Sequence, residues 1–191
     1  MATSKVAIAN RALQKLGAGR ISALDQDHPN ARSMNAAYAI VRDAELRRYD
    51  WSFAMARASI AADASQTLFG AHNKYGLPND FLRLLRDSND DVITTVDWRI
   101  EGLFIISDDA APLEIRYIAR IDDPNYYDAM FIEAFAGKLA LECCEEITQS
   151  TAKKKGLEND YAFAIAEARR LGSIEKAAQE FPEDEWLQAR R

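Results

Sequence analysis

Cysteine and histidine are almost missing from this sequence, with two of each among 191 residues, and proline and glycine number only five and eight. The two cysteines are the adjacent Cys143 and Cys144. Neighbours on a helix point about 100° apart, so a mutual disulfide is not expected. Two buried, reduced thiols made in a reducing cytoplasm are the plain reading. His28 and His72 fall in loop-like stretches about 44 residues apart. No H-E-x-x-H or C-x-x-C spacing accompanies them, so surface positions are expected and a metal site is not.

Long apolar runs are also missing. None approaches the roughly 18 residues that span a bilayer, so no membrane partner is expected. The opening MATSKVAIANRALQKL has neither an apolar h-region nor a small-residue cleavage site, which predicts a soluble chain that stays where it is made. Basic charge is short too, at 24 Lys and Arg against 30 Asp and Glu, a net charge of -6 and a pI near 5.0. Gripping phosphate needs a concentrated basic face, and the nearest approach, Arg42, Arg47 and Arg48, is too thin for a recognition helix.

What is present suits one globular domain: 48% apolar and 28% charged residues, in a chain long enough to bury a core. Residues 4–16 place Val6, Ala9, Leu13 and Leu16 at helical spacing, and Gly17 and Gly19 follow as stop signals. Residues 30–49 repeat the pattern with Met34, Tyr38 and Val41 on one stripe. Trp51, Phe53 and Met55 then alternate with small residues at the period of a strand. A loop holding His72, Gly76 and Pro78 leads to a second alternating run, Val92, Thr94, Val96, Trp98 and Ile100. Glu101 and Gly102 can turn the chain into residues 103–106, and Leu113, Ile115, Tyr117 and Ala119 form a third run.

Asp123 before Pro124 predicts the start of a long helix reaching about Thr148, with Phe131, Phe135 and Leu139 on one stripe. A last helix over residues 151–171 carries Leu157, Tyr161, Ala164, Ala168 and Leu171 and should end at Gly172. The expected fold is therefore α+β: a mainly helical four-helix bundle with a small antiparallel β-sheet inserted between helices two and three. In domain terms, residues 1–172 form one unit, helical over 1–50 and 123–172 with a β insertion at 51–122, and residues 173–191 form a C-terminal tail.

The motifs that would carry chemistry fail on their own terms. Gly17 and Gly19 give G-x-G, but Ser22 stands at the third glycine and no strand precedes, so helix termination explains them. The run DSNDD at 87–91 resembles a calcium loop, yet Val92 replaces its glycine and Trp98 its bidentate glutamate, which leaves a solvated turn. Neither cysteine has a motif marking a nucleophile and no G-x-S-x-G elbow exists. Catalytic, cofactor-binding and metal residues are all expected to be none.

Carboxylate pairs are a weaker but broader signal, because glycoside hydrolysis requires only two acids at a suitable separation. Glu142, Glu145 and Glu146 cluster on one helix, and Asp108, Asp109, Asp122 and Asp123 flank strand ends. Solvation and helix capping account for them more simply, since a catalytic acid also needs a pocket that raises its pKa. A cell-wall or polysaccharide hydrolase is the alternative function that such pairs would serve. In the tail, Phe181 and Trp186 sit within FPEDEWLQARR, a stretch too short and polar to fold alone. Two readings stand side by side: anchors for a partner surface, or side chains folded back on their own bundle.

Two stretches carry a family likeness. IANRALQKLGAGRISALDQD is followed by a helix ending in RRYDWSFAMARASIA, and YGLPNDFLRLLRD by DWRIEGLFIISDDAAPLEIRYIARIDDPNYYDAMFIEAFAGKLA. This order resembles the tail tubular protein A family, head-to-tail adaptors or gatekeepers of short-tailed bacteriophages. The likeness covers roughly residues 5–171 and rests on Leu16–Gly17, the W-x-F of Trp51 and Phe53, and the Leu77–Pro78 step. These are fold markers and not catalytic signatures.

The resemblance implies a structural virion protein that is not an enzyme and takes no cofactor. It implies a homo-oligomeric ring of about twelve subunits docked beneath the portal protein. The tail nozzle protein attaches below, and DNA passes through the lumen without sequence-specific binding. Adaptors of this kind often stay monomeric in solution until the portal offers its ring of sites, and they reside at the head-tail junction after assembly in the host cytoplasm. The helices would supply subunit contacts and the inserted sheet would reach a neighbour or the nozzle. Net negative charge fits a conduit, since a carboxylate-lined lumen repels phosphate.

Overall fold

A computed structural model describes residues 3–65, 67, 70–85 and 98–174. Among the described residues there are four helices, two before the strands and two after them: α1 (Lys5–Leu16), α2 (Pro29–Arg48), α3 (Ala129–Thr148) and α4 (Thr151–Ile174). Between the helix pairs the described residues form six strands: β1 (Met55–Ile60), β2 (Asn73–Gly76), β3 (Phe81–Leu84), β4 (Arg99–Glu101), β5 (Phe104–Ser107) and β6 (Leu113–Ala119). They form two three-stranded antiparallel sheets, ordered β1-β6-β3 and β2-β5-β4.

The helices end where local chemistry directs. Ser4 accepts the Ala7 N–H at the start of α1, and Gly17, at φ +67°, closes it in the left-handed region that costs glycine nothing. His28 opens α2 by accepting the Asn30 N–H on Nδ1 at 3.1 Å. Asp128 opens α3, its carboxylate accepting the N–H groups of Met130 and Phe131.

The apolar stripes read from spacing face one core. Ala9, Leu13 and Leu16 of α1, Met34, Tyr38 and Val41 of α2, Phe131, Phe135 and Leu139 of α3, and Leu157, Tyr161 and Ala168 of α4 are all buried there. Cys143 and Cys144 are free and buried in the same core. Helix α3 is the hub, packing against each of the other three, whereas α1 and α2 scarcely touch.

The expectation of a four-helix bundle bearing one small inserted sheet is therefore corrected: the strands make two sheets with a hydrophobic core of their own. Tyr75 and Ile105 of one sheet meet Leu84, Leu113, Ile115 and Tyr117 of the other. Strand β6 serves both cores, because its odd-numbered residues face the second sheet while Ile118 turns toward the helices. The extra strands were hidden for a physical reason. β2 and β3 have four residues each, too few to display a period of two, and Pro78 and Gly76 made their surroundings look like loop.

Trp51 and Phe53 do not lie on a strand: residues Ser52–Ala54 form a 3-10 turn, and β1 begins at Met55. Asp123 caps only the short 3-10 turn Pro124–Tyr126, and α3 starts five residues later, at Asp128 as its cap. Helix α4 passes through Gly172 to Ile174. The alternating run at 92–97 and the acidic run at 87–91 lie outside the described residues. Gly102, at φ +60°, does turn β4 into β5.

Candidate functional site

A cleft of about 700 Å³ opens between the end of α2, the turn after it and the last two turns of α4. Pockets of roughly 300–1,000 Å³ are the usual size for bound groups. Its aromatic side is built by the turn. Tyr49 ends α2 in an extended conformation, and Trp51 dives into the core, its Nε1 donating to the Glu45 carbonyl oxygen at 2.9 Å. Trp51 then meets Phe131 edge-on with ring centroids 5.0 Å apart, and Phe53 packs on Phe131 at 5.1 Å. Half-buried Phe53 is left at the cleft's edge.

The cationic side comes from three elements. Arg48 ends α2, Arg83 comes from β3, and Arg169 and Arg170 come from α4. The Arg169 guanidinium lies 4.4 Å above the Tyr49 ring, a cation–π geometry that leaves its edge N–H groups free to turn outward. Arg170 forms a two-point ion pair with Glu167, and Arg83 pairs with Asp50. Asp128 also lines the cleft, but its carboxylate is occupied by the α3 cap.

Behind Arg48 sits a buried carboxylate. Arg48 donates to the Tyr161 oxygen at 2.8 Å, and Tyr161 in turn reaches both carboxylate oxygens of Glu45 at 2.8 Å. Burial raises the Glu45 pKa, against the opposing pull of the Tyr161 hydrogen bond and the Arg48 charge. Burial and the Glu45 contact push Tyr161 upward as well. The cleft thus combines guanidinium forks, which suit carboxylate or phosphate, with aromatic faces, which suit apolar side chains.

None of the acids singled out by spacing lines this cleft. Glu142 pairs with Lys138 and Glu145 with Lys154, while Glu146 accepts the Ser33 hydroxyl at 2.7 Å. Asp108 holds His72 at 2.9 Å, Asp109 accepts from Ser107, Asp122 pairs with Arg42, and Asp123 caps its turn. Of the basic trio, Arg42 is buried between Asp43 and Asp122, and Arg47 donates to the Leu82 carbonyl oxygen. Only Arg48 reaches the cleft. Phe181 and Trp186 lie outside the described residues.

Glu45 was legible and overlooked. It falls on the stripe Met34, Tyr38, Val41, at the next helical step inward, where a carboxylate requires a buried partner. Arg169 and Arg170 carried no such mark, because their arrival at the cleft depends on how α4 packs. In comparison with known proteins, no family model matches the sequence and no curated protein is significantly similar to it.

Proposed function

We propose that this chain is a structural adaptor of a short-tailed phage virion, joining the portal to the tail nozzle and forming part of the channel through which DNA leaves. The reading takes its family likeness from the stretches around Leu16–Gly17, Trp51 and Phe53, and Leu77–Pro78. The observation that carries it is the β4–β5 hairpin, which holds Leu103 at 75% exposure beside the exposed Ile100. Two large apolar side chains on one hairpin tip suit contact with another protein surface.

In this reading the helical core provides the body of each subunit, and the hairpin reaches a neighbour or the nozzle. Subunits join a closed ring at the portal. The net charge of -6 favours passage of DNA without retention, and the carboxylates are proposed to face the lumen. A ring with a basic lumen would count against that placement.

The test is binding to purified portal rings, followed by addition of the nozzle protein, with the wild-type chain and the double variant Ile100→Asp, Leu103→Asp. Wild type should co-sediment with portal and recruit nozzle. The variant, with unchanged melting temperature, should lose at least tenfold in ring closure or nozzle recruitment. Absence of portal binding by the folded wild-type chain overturns the reading.

A further inference from the structure

The cleft faces chemistry that the chain itself carries. We propose that it seats the chain's own acidic segment, residues 180–187, bound within the same molecule.

Four arginines and two aspartates line the cleft, an excess of positive charge on a chain whose net charge is -6. Both aspartates are committed, Asp50 to Arg83 and Asp128 to the α3 cap. Among the described residues Arg169 makes no ion pair with a carboxylate, and its exposed side chain holds the guanidinium carbon 4.4 Å from the Tyr49 ring centroid.

The sequence EFPEDEWL at 180–187 is the complement: four carboxylates, no basic residue, and two large aromatics, Phe181 and Trp186. Carboxylates match guanidinium forks, and the aromatics match the edge formed by Tyr49 and Phe53. Geometry favours delivery in the same chain. Leu171, Gly172 and Ser173 belong to the cleft wall, so the polypeptide leaves α4 at the cleft itself. Phe181 follows Ile174 by seven residues, an extended reach of up to about 24 Å. A short tether of this kind supplies the segment at millimolar effective concentration, so contacts too weak between molecules become sufficient within one. This inference does not rest on the adaptor reading.

The test places a spin label on the full chain at Gln188→Cys, outside the described residues. The native cysteines are 3% and 0% exposed and are shielded from the reagent. Backbone amide signals are then read by NMR. Tyr49, Ser52, Phe53 and Arg83, all distant in sequence from the label, should broaden strongly. Dilution with excess unlabelled chain should leave that broadening unchanged. It should fade when Glu183, Asp184 and Glu185 are all changed to Lys, with the melting temperature checked to be unchanged, and in Arg169→Glu. It should also fade in about 1 M salt, where the screening length falls to about 3 Å. Broadening confined to another face, broadening that disappears on dilution and so comes from a second copy, or no broadening at all would each overturn the proposal.

Discussion

The phenolic oxygen of Tyr161 on α4 lies 2.8 Å from each carboxylate oxygen of Glu45 on α2, and both side chains are buried. This contact joins the second and last helices through a polar group inside an apolar core. Among the described residues, removing the hydroxyl takes away the carboxylate's 2.8 Å partner and leaves it the more distant Arg48, at 3.6 Å. Tyr161→Phe should therefore cost about 1–3 kcal/mol, the penalty for stranding a buried acceptor, read from urea unfolding at neutral pH. A loss near zero would mean that the carboxylate is hydrated in the native state.

Glu45 also leaves a pH signature. Its folded-state pKa is raised above the ordinary 4.5, so the folded chain binds this proton more readily than the unfolded chain does. Stability contributed by this group consequently falls as pH rises from about 4.5 through the raised value, and the cost is present in full above it. Glu45→Gln lacks that term. The stability of the variant relative to wild type should increase from about pH 4.5 toward neutrality, measured by unfolding at a series of pH values. A difference that stays flat, or declines, would contradict the assignment.

Much of the helical core was readable from spacing, because a stripe such as Phe131, Phe135, Leu139 requires only a period of 3.6 and a buried side. β6 was readable for the same kind of reason: seven residues show alternation clearly. Strands of four residues do not, and pairing partners such as Tyr75 with Ile105 depend on which chain segments meet in space. The cleft was least legible. Its aromatic half follows from a turn that resembles a strand in sequence, and its cationic half from α4 crossing the end of α2.

The start of α3 gives a simpler prediction. Asp128 accepts two backbone N–H groups there, at 2.8 and 3.2 Å. Asp128→Ala should destabilise the chain by about 1 kcal/mol in urea unfolding, while Asp128→Asn should retain most of the stability. Equal losses would show that the carboxylate's charge matters more than its capping bond.

Gly137 offers a gain. It lies within α3, and an added Cβ would meet the Tyr161 ring and backbone at 3.8–3.9 Å, ordinary contact distances. Glycine inside a helix costs conformational entropy that alanine does not. Gly137→Ala should raise stability by about 0.5–1 kcal/mol, seen as a higher melting temperature. A lower one would mean that α3 and α4 pack more closely at this crossing.

The adaptor reading is tested most directly by cryo-electron microscopy of this chain mixed with the portal rings encoded in the same genome. A closed ring of subunits should appear beneath the portal, with the Leu103 hairpin at a subunit or nozzle contact and acidic side chains toward the lumen. Portal rings that stay bare in the presence of folded, saturating chain would contradict it.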